Sequence, residues 1–128
     1  RIDLMRTFVF VLHDFEKLRV YQDSLNLARL ILEHFKGYSI FGLRDQILRS
    51  STSIPSNIAE GSQRNSGKEF LRFLYISKGS ASELYTQLSI LESDPEIDSH
   101  LTASLKLTCL QIMKQLQALI NHLKKSST

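Results

Sequence analysis

The feature that most constrains the fold is a helical spacing of apolar residues along nearly the whole chain. In the first segment, from about Leu18 to Phe35, apolar residues recur at intervals of three and four: Leu18, Tyr21, Leu25, Ala28, Leu32 and Phe35. This spacing is typical of a helix that packs inside a bundle. Sustained two-residue alternation and Asn-Gly or Asp-Gly hairpins are absent from the sequence, and Phe8–Leu12 is its only β-like run. The sequence therefore predicts an all-α fold.

Three more helices follow. The second covers about Gly42 to Glu60 and is predicted to stop at Gly61. Ser66 is a candidate N-cap of the third helix, with Glu69 completing a capping box. The residues that this helix is predicted to bury are Phe70, Phe73, Leu74, Ala81, Leu84, Leu88 and Leu91.

The fourth helix is predicted from about Ser99 to Lys125, after an acidic turn in which Pro95 interrupts the third helix near Ser93. Its main apolar stripe consists of Leu105, Cys109, Ile112, Leu116, Leu119 and Leu123. Short connections make neighbouring helices antiparallel, so residues 15–125 are predicted to form one up-down-up-down four-helix bundle. Residues 1–14 are predicted to be an N-terminal arm. Met5 is a candidate natural start within it, which would make residues 1–4 non-native.

Both outer helices carry a second apolar stripe. In the first helix its members are Val20, Leu27, Leu30 and Ile31, and in the fourth they are Ala103, Leu107, Leu110, Met113 and Ile120. One stripe is enough for a helix inside a single bundle, and long apolar faces are rarely left exposed. The second stripes favour self-association as a homo-oligomer. The alternative is one wide apolar face within a small bundle.

The second helix contains a proline among hydroxyl side chains. A proline inside a helix removes one amide donor and costs about 3 kcal/mol in a generic helix. Pro55 frees the carbonyl of Ser51, and the nearby hydroxyls are candidates to satisfy it: Ser50, Ser51, Thr52, Ser53 and Ser56. This arrangement favours a shape requirement, either a kink or a close approach of two helices. Gly79 inside the third helix likewise predicts a closely approaching neighbour.

These segments resemble the four-helix-bundle proteins encoded in intervening sequences of bacterial large-subunit (23S) ribosomal RNA genes. The resemblance covers about Phe15 to Leu123, and its strongest block is Arg49 with the string SIPSNIAEG at residues 53–61. Further blocks are LRVYQ at residues 18–22, GLRDQI at 42–47, KEFLRFL at 68–74 and GSASEL at 79–84.

The resemblance implies an antiparallel four-helix bundle that assembles as a ring-shaped homopentamer, without catalytic activity. The chain is also similar to the accessory protein of diversity-generating retroelements, which shares this fold and is associated with nucleic acid and a reverse transcriptase. Ser50 and Ser51 depart from the family pattern, since alanines are common at their positions.

The net charge is only +3, but the charges are segregated along the chain. Five acidic residues and no cation lie between Glu83 and Asp98. Six cations lie on the second and third helices and are candidates for nucleic-acid binding: Arg44, Arg49, Arg64, Lys68, Arg72 and Lys78. Several cations held at phosphate spacing bind nucleic acid by releasing counterions, and a ring would multiply the effect. The alternative is solvated ion pairs of Glu69 with Arg72 and of Glu60 with Arg64.

Other residues are assigned structural roles. Pro55, Asn57, Glu60, Gly61 and Gly79 form a candidate structural motif, in which Asn57 fixes the bundle register and Glu60 pairs with an arginine. The tyrosines are expected to serve packing or interfaces rather than base stacking: Tyr21, Tyr38, Tyr75 and Tyr85.

Enzyme chemistry has one lead. Arg29 and His34 fit the loose R-x4-H pattern of a class of helical ribonucleases, but five residues place the two side chains about 140° apart on a helix. Cys109, the single cysteine, is expected to be a small core residue. The histidines lack metal-ligand spacing, so neither a metal nor a cofactor is predicted. With no membrane span, no disulfide and no signal-peptide cleavage site, a cytoplasmic location is expected.

Three classes of function compete. A non-enzymatic oligomer that binds RNA or DNA through a basic surface predicts salt-dependent affinity for nucleic acid. A protein-interaction scaffold or accessory subunit predicts a protein partner and no affinity for polyanions. A helical ribonuclease predicts RNA cleavage that depends on His34.

Overall fold

The computed structural model describes residues 14–126. After one 3₁₀ turn at Phe15–Lys17, the chain forms four helices: α1 (Arg19–Phe35), α2 (Phe41–Ser62), α3 (Gly67–Leu91) and α4 (Ser99–Ser126). These residues contain no strand, so the all-α prediction is confirmed. The β-like run at Phe8–Leu12 lies outside the described residues, as does the predicted arm except for Asp14.

Consecutive helices pack against each other, and α1 also touches α4, although more sparsely. This arrangement confirms the antiparallel up-down-up-down bundle. The centre of the core consists of large side chains from all four helices with no more than 1% exposure: Leu27, Ile31, Phe35, Ile47, Ile54, Ile58, Leu74, Leu84, Leu88, Leu91, Ile112 and Leu116. Such a core supplies most of the stability of helices that would be marginal in isolation.

The buried stripe of α1 differs from the predicted one. Val20, Leu27 and Ile31, assigned to a second stripe, are buried, whereas Leu32 of the predicted seam is 52% exposed. Ser24 lies at the centre of the actual stripe, is fully buried and donates its hydroxyl to the carbonyl of Tyr21 (2.9 Å). Because a serine hydroxyl can hydrogen-bond to the backbone of its own helix, serine is tolerated in the core. Its presence there interrupts the apolar pattern.

The main stripe of α4 is confirmed. Leu105, Cys109, Ile112 and Leu116 are buried, and the other two members of the stripe, Leu119 and Leu123, pack partly buried against the core. The second stripe is divided. Its end at Ile120 is buried, whereas Leu107 and Leu110 remain 62% and 38% exposed.

Gly61 does not end α2, so the predicted stop is wrong. The helix continues to Ser62, and Gly61 is buried. A Cβ atom at Gly61 would lie 2.6 Å from Cβ of Phe73 and 3.0 Å from Cδ1 of Phe70. The missing side chain therefore allows α2 to approach α3 closely, and the requirement is one of space rather than of helix termination.

Gly79 corrects a second prediction, because nothing lies within 4 Å of the position that its Cβ atom would occupy. Gly79 is exposed, while the residues beside it make the close contacts with α2. Ser77 donates its hydroxyl to the carbonyl of Ile54 (2.8 Å), and Ala81 is fully buried. The small residues of this segment are thus needed on one side of α3 only.

The capping prediction for α3 is confirmed at its N-cap. The hydroxyl of Ser66 accepts a hydrogen bond from the amide of Glu69 (3.2 Å). The carboxylate of Glu69 bonds to Arg72. The cap fixes the start of α3 directly after the connection that carries Arg64.

Candidate nucleic-acid interface

Three of the six predicted cations come together where α2 joins α3. Arg64 lies in the connection, Lys68 lies in the first turn of α3, and Arg72 follows four residues later. The Cζ atoms of Arg64 and Arg72 lie 4.9 and 4.6 Å from the ring centroid of Phe73, so one aromatic ring orients both guanidinium groups. Lys68 is exposed and makes no ion pair within residues 14–126.

One lysine of α4 lies next to this group, and the sequence reasoning missed it. Nζ of Lys124 lies 5.3 Å from the ring centroid of Tyr75, three residues after Arg72 in α3. The signal was available, because the end of α4 in an antiparallel bundle lies beside the start of α3. Four residues are named the basic corner from here on: Arg64, Lys68, Arg72 and Lys124.

Two carboxylates reduce the charge of the basic corner. Glu60 Oε1 lies 3.7 Å from Arg64 Nη2, and Glu69 Oε2 lies 3.1 Å from Arg72 Nε. The hydrogen bond from Arg72 lowers the pKa of Glu69, and the same bond raises the pKa of Arg72. These are the pairs that the alternative interpretation predicted. All four side chains are roughly half exposed, and exposed pairs of this kind contribute between zero and about 1 kcal/mol.

The remaining three cations lie elsewhere. Arg44 lies near the start of α2, 3.2 Å from Asp45 and 4.7 Å from the ring centroid of Phe41. At 1.5 Å per residue, roughly 30 Å of helix separates it from the basic corner. Arg49 lines a cleft between α2 and α3, and Lys78 donates to Oε1 of Gln117 on α4 (2.6 Å).

Pro55 is buried within an uninterrupted α2. The hydroxyls of Ser51 and Thr52 donate to the carbonyl of Leu48 (both 3.0 Å). The prediction had named a different acceptor, the carbonyl of Ser51. The hydroxyl that reaches this region from α3 is that of Ser77, on the carbonyl of Ile54. The hydroxyls around Pro55 therefore serve both the helix backbone and the contact between helices.

Asn57 contributes to that contact indirectly. Its amide donates to the carbonyl and to the hydroxyl of Ser53 (both 2.8 Å), and the hydroxyl of Ser53 lies 2.8 Å from that of Ser80 on α3. Further along, Ser50 donates to Oε1 of Glu83 (2.6 Å). Together these bonds form a polar seam between α2 and α3, and they fix the register of the two helices.

The opposite end of the bundle is acidic. There the hydroxyl of Tyr38 donates to Asp94, which joins the α1–α2 connection to the α3–α4 turn. This bond, together with burial, raises the pKa of Tyr38 to about 12, and it lowers the pKa of Asp94. Lys106 donates to Oε1 of Glu92 at the same end (2.7 Å). The acidic segment of the sequence thus lies at the end opposite the basic corner, where Arg44 and Lys106 also lie.

The ribonuclease-like pair is on the surface. Arg29 and His34 are both exposed on α1, and Nη1 of Arg29 lies 3.4 Å from Oδ1 of Asn26. Both residues belong to one regular helix, so their five-residue separation directs them apart. Cys109 is fully buried, and desolvation raises the pKa of its thiol to about 12, in agreement with its predicted core role.

Within residues 14–126, no three His, Cys, Asp or Glu side chains gather where they could hold a metal ion. None of the helices in the same range combines the length and the apolar character needed to cross a bilayer.

The comparisons with known proteins agree with the bundle. The family model of the 23S rRNA-intervening sequence protein matches residues 16–118. A solved structure of a protein of unknown function from the S23 ribosomal protein family of Bacteroides thetaiotaomicron is 31% identical, with a TM-score of 0.75 over 79% of this chain and 97% of that chain. No curated protein matches.

The similarity to the accessory protein of diversity-generating retroelements stays a prediction.

The family match covers most of the 3₁₀ turn, the first three helices and most of α4. On this match, the chain belongs to the 23S rRNA-intervening sequence protein family.

Proposed function

We propose that this protein is a non-enzymatic oligomer that binds nucleic acid through the basic corner. The observation that carries the proposal is the convergence of cations from the α2–α3 connection, α3 and α4 around Phe73 and Tyr75. Arg64 and Arg72 each pair with a carboxylate in an exposed, weak ion pair, and Lys68 makes no ion pair within residues 14–126. A phosphate group can replace such a carboxylate as partner of an arginine, while counterion release favours binding.

Self-association would strengthen this binding. The exposed leucines that support it lie on the two outer helices: Leu30 and Leu32 on α1, and Leu107 and Leu110 on α4. Several copies would present several basic corners to one polyanion, and linked weak contacts add to a higher overall affinity. The family resemblance makes a homopentamer the expected assembly.

The binding test compares two triple variants of equal charge. In the first, Arg64, Lys68 and Arg72 are changed to Ala, and in the matched control the exposed cations Arg29, Lys36 and Lys114 are changed to Ala. Binding of fluorescent structured RNA and duplex DNA is measured by anisotropy across a salt series. The basic-corner variant should bind more weakly, with a salt slope smaller by about 2 to 3, while the control retains most of the affinity.

The proposal fails if the unaltered protein shows no binding near about 50 mM salt, where electrostatic binding is strong. It also fails if both triple variants lose affinity equally, because general charge rather than the basic corner would then explain the binding.

The oligomer is tested separately by light scattering on the same samples. Changing both Leu32 and Leu107 to Glu should dissociate the assembly, since a charged residue in an apolar interface opposes association. Circular dichroism of the variant should stay helical, because both side chains are exposed in the single chain. A monomer at high concentration for the unaltered protein would refute self-association.

Two other functions make different predictions. The exposed leucines of α1 and α4 are compatible with a protein-interaction scaffold, which predicts no polyanion affinity in the anisotropy assay. A ribonuclease predicts RNA cleavage that is lost when His34 is changed to Ala. Cleavage by the unaltered protein that His34→Ala abolishes would overturn the non-enzymatic proposal.

A further inference from the structure

A half-open cleft of about 590 Å³ lies between α2 and α3, toward the acidic end of the bundle. Its lining combines two side chains of α2 with four of α3: Gln46, Arg49, Glu83, Thr86, Gln87 and Ile90. Three of the six lining residues belong to sequence blocks that carry the family resemblance: Gln46 in GLRDQI, Arg49 with the SIPSNIAEG block and Glu83 in GSASEL. No function discussed so far uses this cleft.

Gln87 is the first sign that the cleft binds something. The residue is only 7% exposed, and its Oε1 atom is buried without a hydrogen-bond partner within the described residues. Buried polar atoms are nearly always bonded, and an unbonded one destabilises the folded state. A ligand that donates a hydrogen bond into the cleft would satisfy this atom.

The charges of the cleft indicate what kind of ligand fits. Arg49 and Glu83 line the same cleft, yet they do not approach within the 4.0 Å of an ion pair. Glu83 is held by the hydroxyl of Ser50, which donates to its Oε1 atom (2.6 Å). One wall thus offers a guanidinium group and the other an oriented carboxylate, so the cleft has no net charge. A simple anion would be attracted by Arg49 and repelled by Glu83.

We propose that this cleft binds a small zwitterion of the α-amino-acid type. The ligand carboxylate contacts Arg49, because a guanidinium presents donors in the geometry that a carboxylate accepts. The ligand ammonium group donates to Glu83 and, once the Gln87 amide turns toward the cleft, to Oε1 of Gln87, which ends the unbonded state of that atom. Ile90, 58% exposed at the rim, gives an apolar side chain of the ligand a surface to pack on.

The first experiment measures ligand binding by saturation-transfer NMR and thermal shift at millimolar concentration. L-leucine is compared with N-acetyl-L-leucine, which lacks the ammonium group, and with L-leucinamide, which lacks the carboxylate. We expect L-leucine to bind and both blocked forms to bind at least about tenfold more weakly. Equal binding of a blocked form, or no binding of L-leucine, overturns the proposal. Preferential binding of guanosine monophosphate overturns it as well, because the cleft would then be a nucleotide site.

The second experiment uses variants that keep the fold. Gln87→Met removes the buried unbonded oxygen at similar volume, so the free protein should be at least as stable as the unaltered one, while the shift caused by L-leucine disappears. Glu83→Gln keeps an acceptor for Ser50 but removes the charge, and it should weaken binding about tenfold or more. Gln111→Met, at an exposed position of α4, is the matched control and should bind normally.

Retention of L-leucine binding in Gln87→Met or Glu83→Gln contradicts the proposal. The test is independent of the proposed nucleic-acid function, because Gln87 and Glu83 lie outside the basic corner and anisotropy with RNA should be unchanged in both variants.

Discussion

The contact between α2 and α3 differs in kind from the opposite side of the bundle, where α1 meets α4. Small residues and hydroxyls bring α2 and α3 together, with Gly61 directly against Phe73 and with Ser77 bonded to the backbone of Ile54. Between α1 and α4 contacts are sparse, and the amide of Gln115 donates to Asp23 (2.8 Å) across them. Polar groups thus join two closely packed helices, α2 and α3, on one side of the bundle. On the other side they bridge α1 and α4, which are loosely packed.

The difference has a physical origin. Helix axes come close only where side chains are small, and a close approach lets hydroxyls reach the backbone of the neighbouring helix. Long leucines on α1 and α4 fit no such contact, and several remain exposed. The α2–α3 pair is thus the most closely packed part of the subunit, whereas α1 and α4 leave several leucines exposed.

The largest expected effect is that of Gly61→Ala. The new Cβ atom would overlap Cβ of Phe73, which cannot rotate away because it is bonded directly to the backbone of α3, so α2 and α3 must separate. We expect a loss of about 2–3 kcal/mol in the free energy of unfolding, measured by urea denaturation. A change below about 0.5 kcal/mol would show that the two helices adjust freely.

A smaller loss is expected for Ser77→Ala, which removes a buried hydrogen bond between α3 and the carbonyl of Ile54. The free energy of unfolding should fall by about 1 kcal/mol. Ser56→Ala, at an exposed position of α2, is the control and should change little. An equal fall in the free energy of unfolding for both variants would argue against a stabilising role of the bond from Ser77 to Ile54.

At the acidic end of the bundle, Tyr38→Phe removes the bond to Asp94 that joins the α1–α2 connection to the turn before α4. The raised pKa of Tyr38 means that this bond stabilises the folded state below pH 10 and that its contribution is lost between pH 10 and about 12. The pKa of Asp94 is lowered by the same bond, so the stability that the bond contributes is also lost as the pH falls through the pKa of Asp94.

We therefore expect Tyr38→Phe to lower the melting temperature at pH 7 and to flatten its decline between pH 10 and 12. Melting curves across pH check this, with Tyr75→Phe at an exposed position of α3 as control. An unchanged alkaline decline in Tyr38→Phe would contradict the role of the bond.

The smallest change, and the only gain, is expected for Gly79→Ala. Nothing occupies the space that the methyl group would fill, and alanine favours a helix over glycine by up to about 1 kcal/mol. The free energy of unfolding should rise by about 0.5–1 kcal/mol in the same urea experiment. A loss instead would indicate that another molecule packs on this glycine.

Periodicity was sufficient to predict four helices, their order and most of the core. It selected the correct stripes on α3 and α4, where nearly every inward position is apolar. On α1 it was right for Ala28 and Phe35 but missed Val20, Leu27 and Ile31, because Ser24 lies in the buried stripe. A pattern of apolar residues cannot reveal a buried serine that hydrogen-bonds to its own helix. The two glycines were misassigned for a similar reason, since the sequence does not tell which way a residue without a side chain faces.

The candidate interface was predicted in part. Arg64, Lys68 and Arg72 are near in sequence and remain near in space, whereas Lys124 joins them only through the return of α4. The cleft could not be found from sequence, because Gln46 and Gln87 are distant in the chain and no pattern in the sequence pairs them. It depends on the register of α2 against α3, which a list of residues does not contain.

The deep burial of Cys109 has a practical consequence for all these experiments. A thiol with a pKa near 12, enclosed by the core, holds almost no thiolate at neutral pH and is inaccessible to reagents. Because it is the only cysteine in the chain, a second one introduced at an exposed position can be labelled selectively without removing the first. Fluorophores or spin labels can thus be placed on any face of the natural protein, and distances between subunits measured directly in solution.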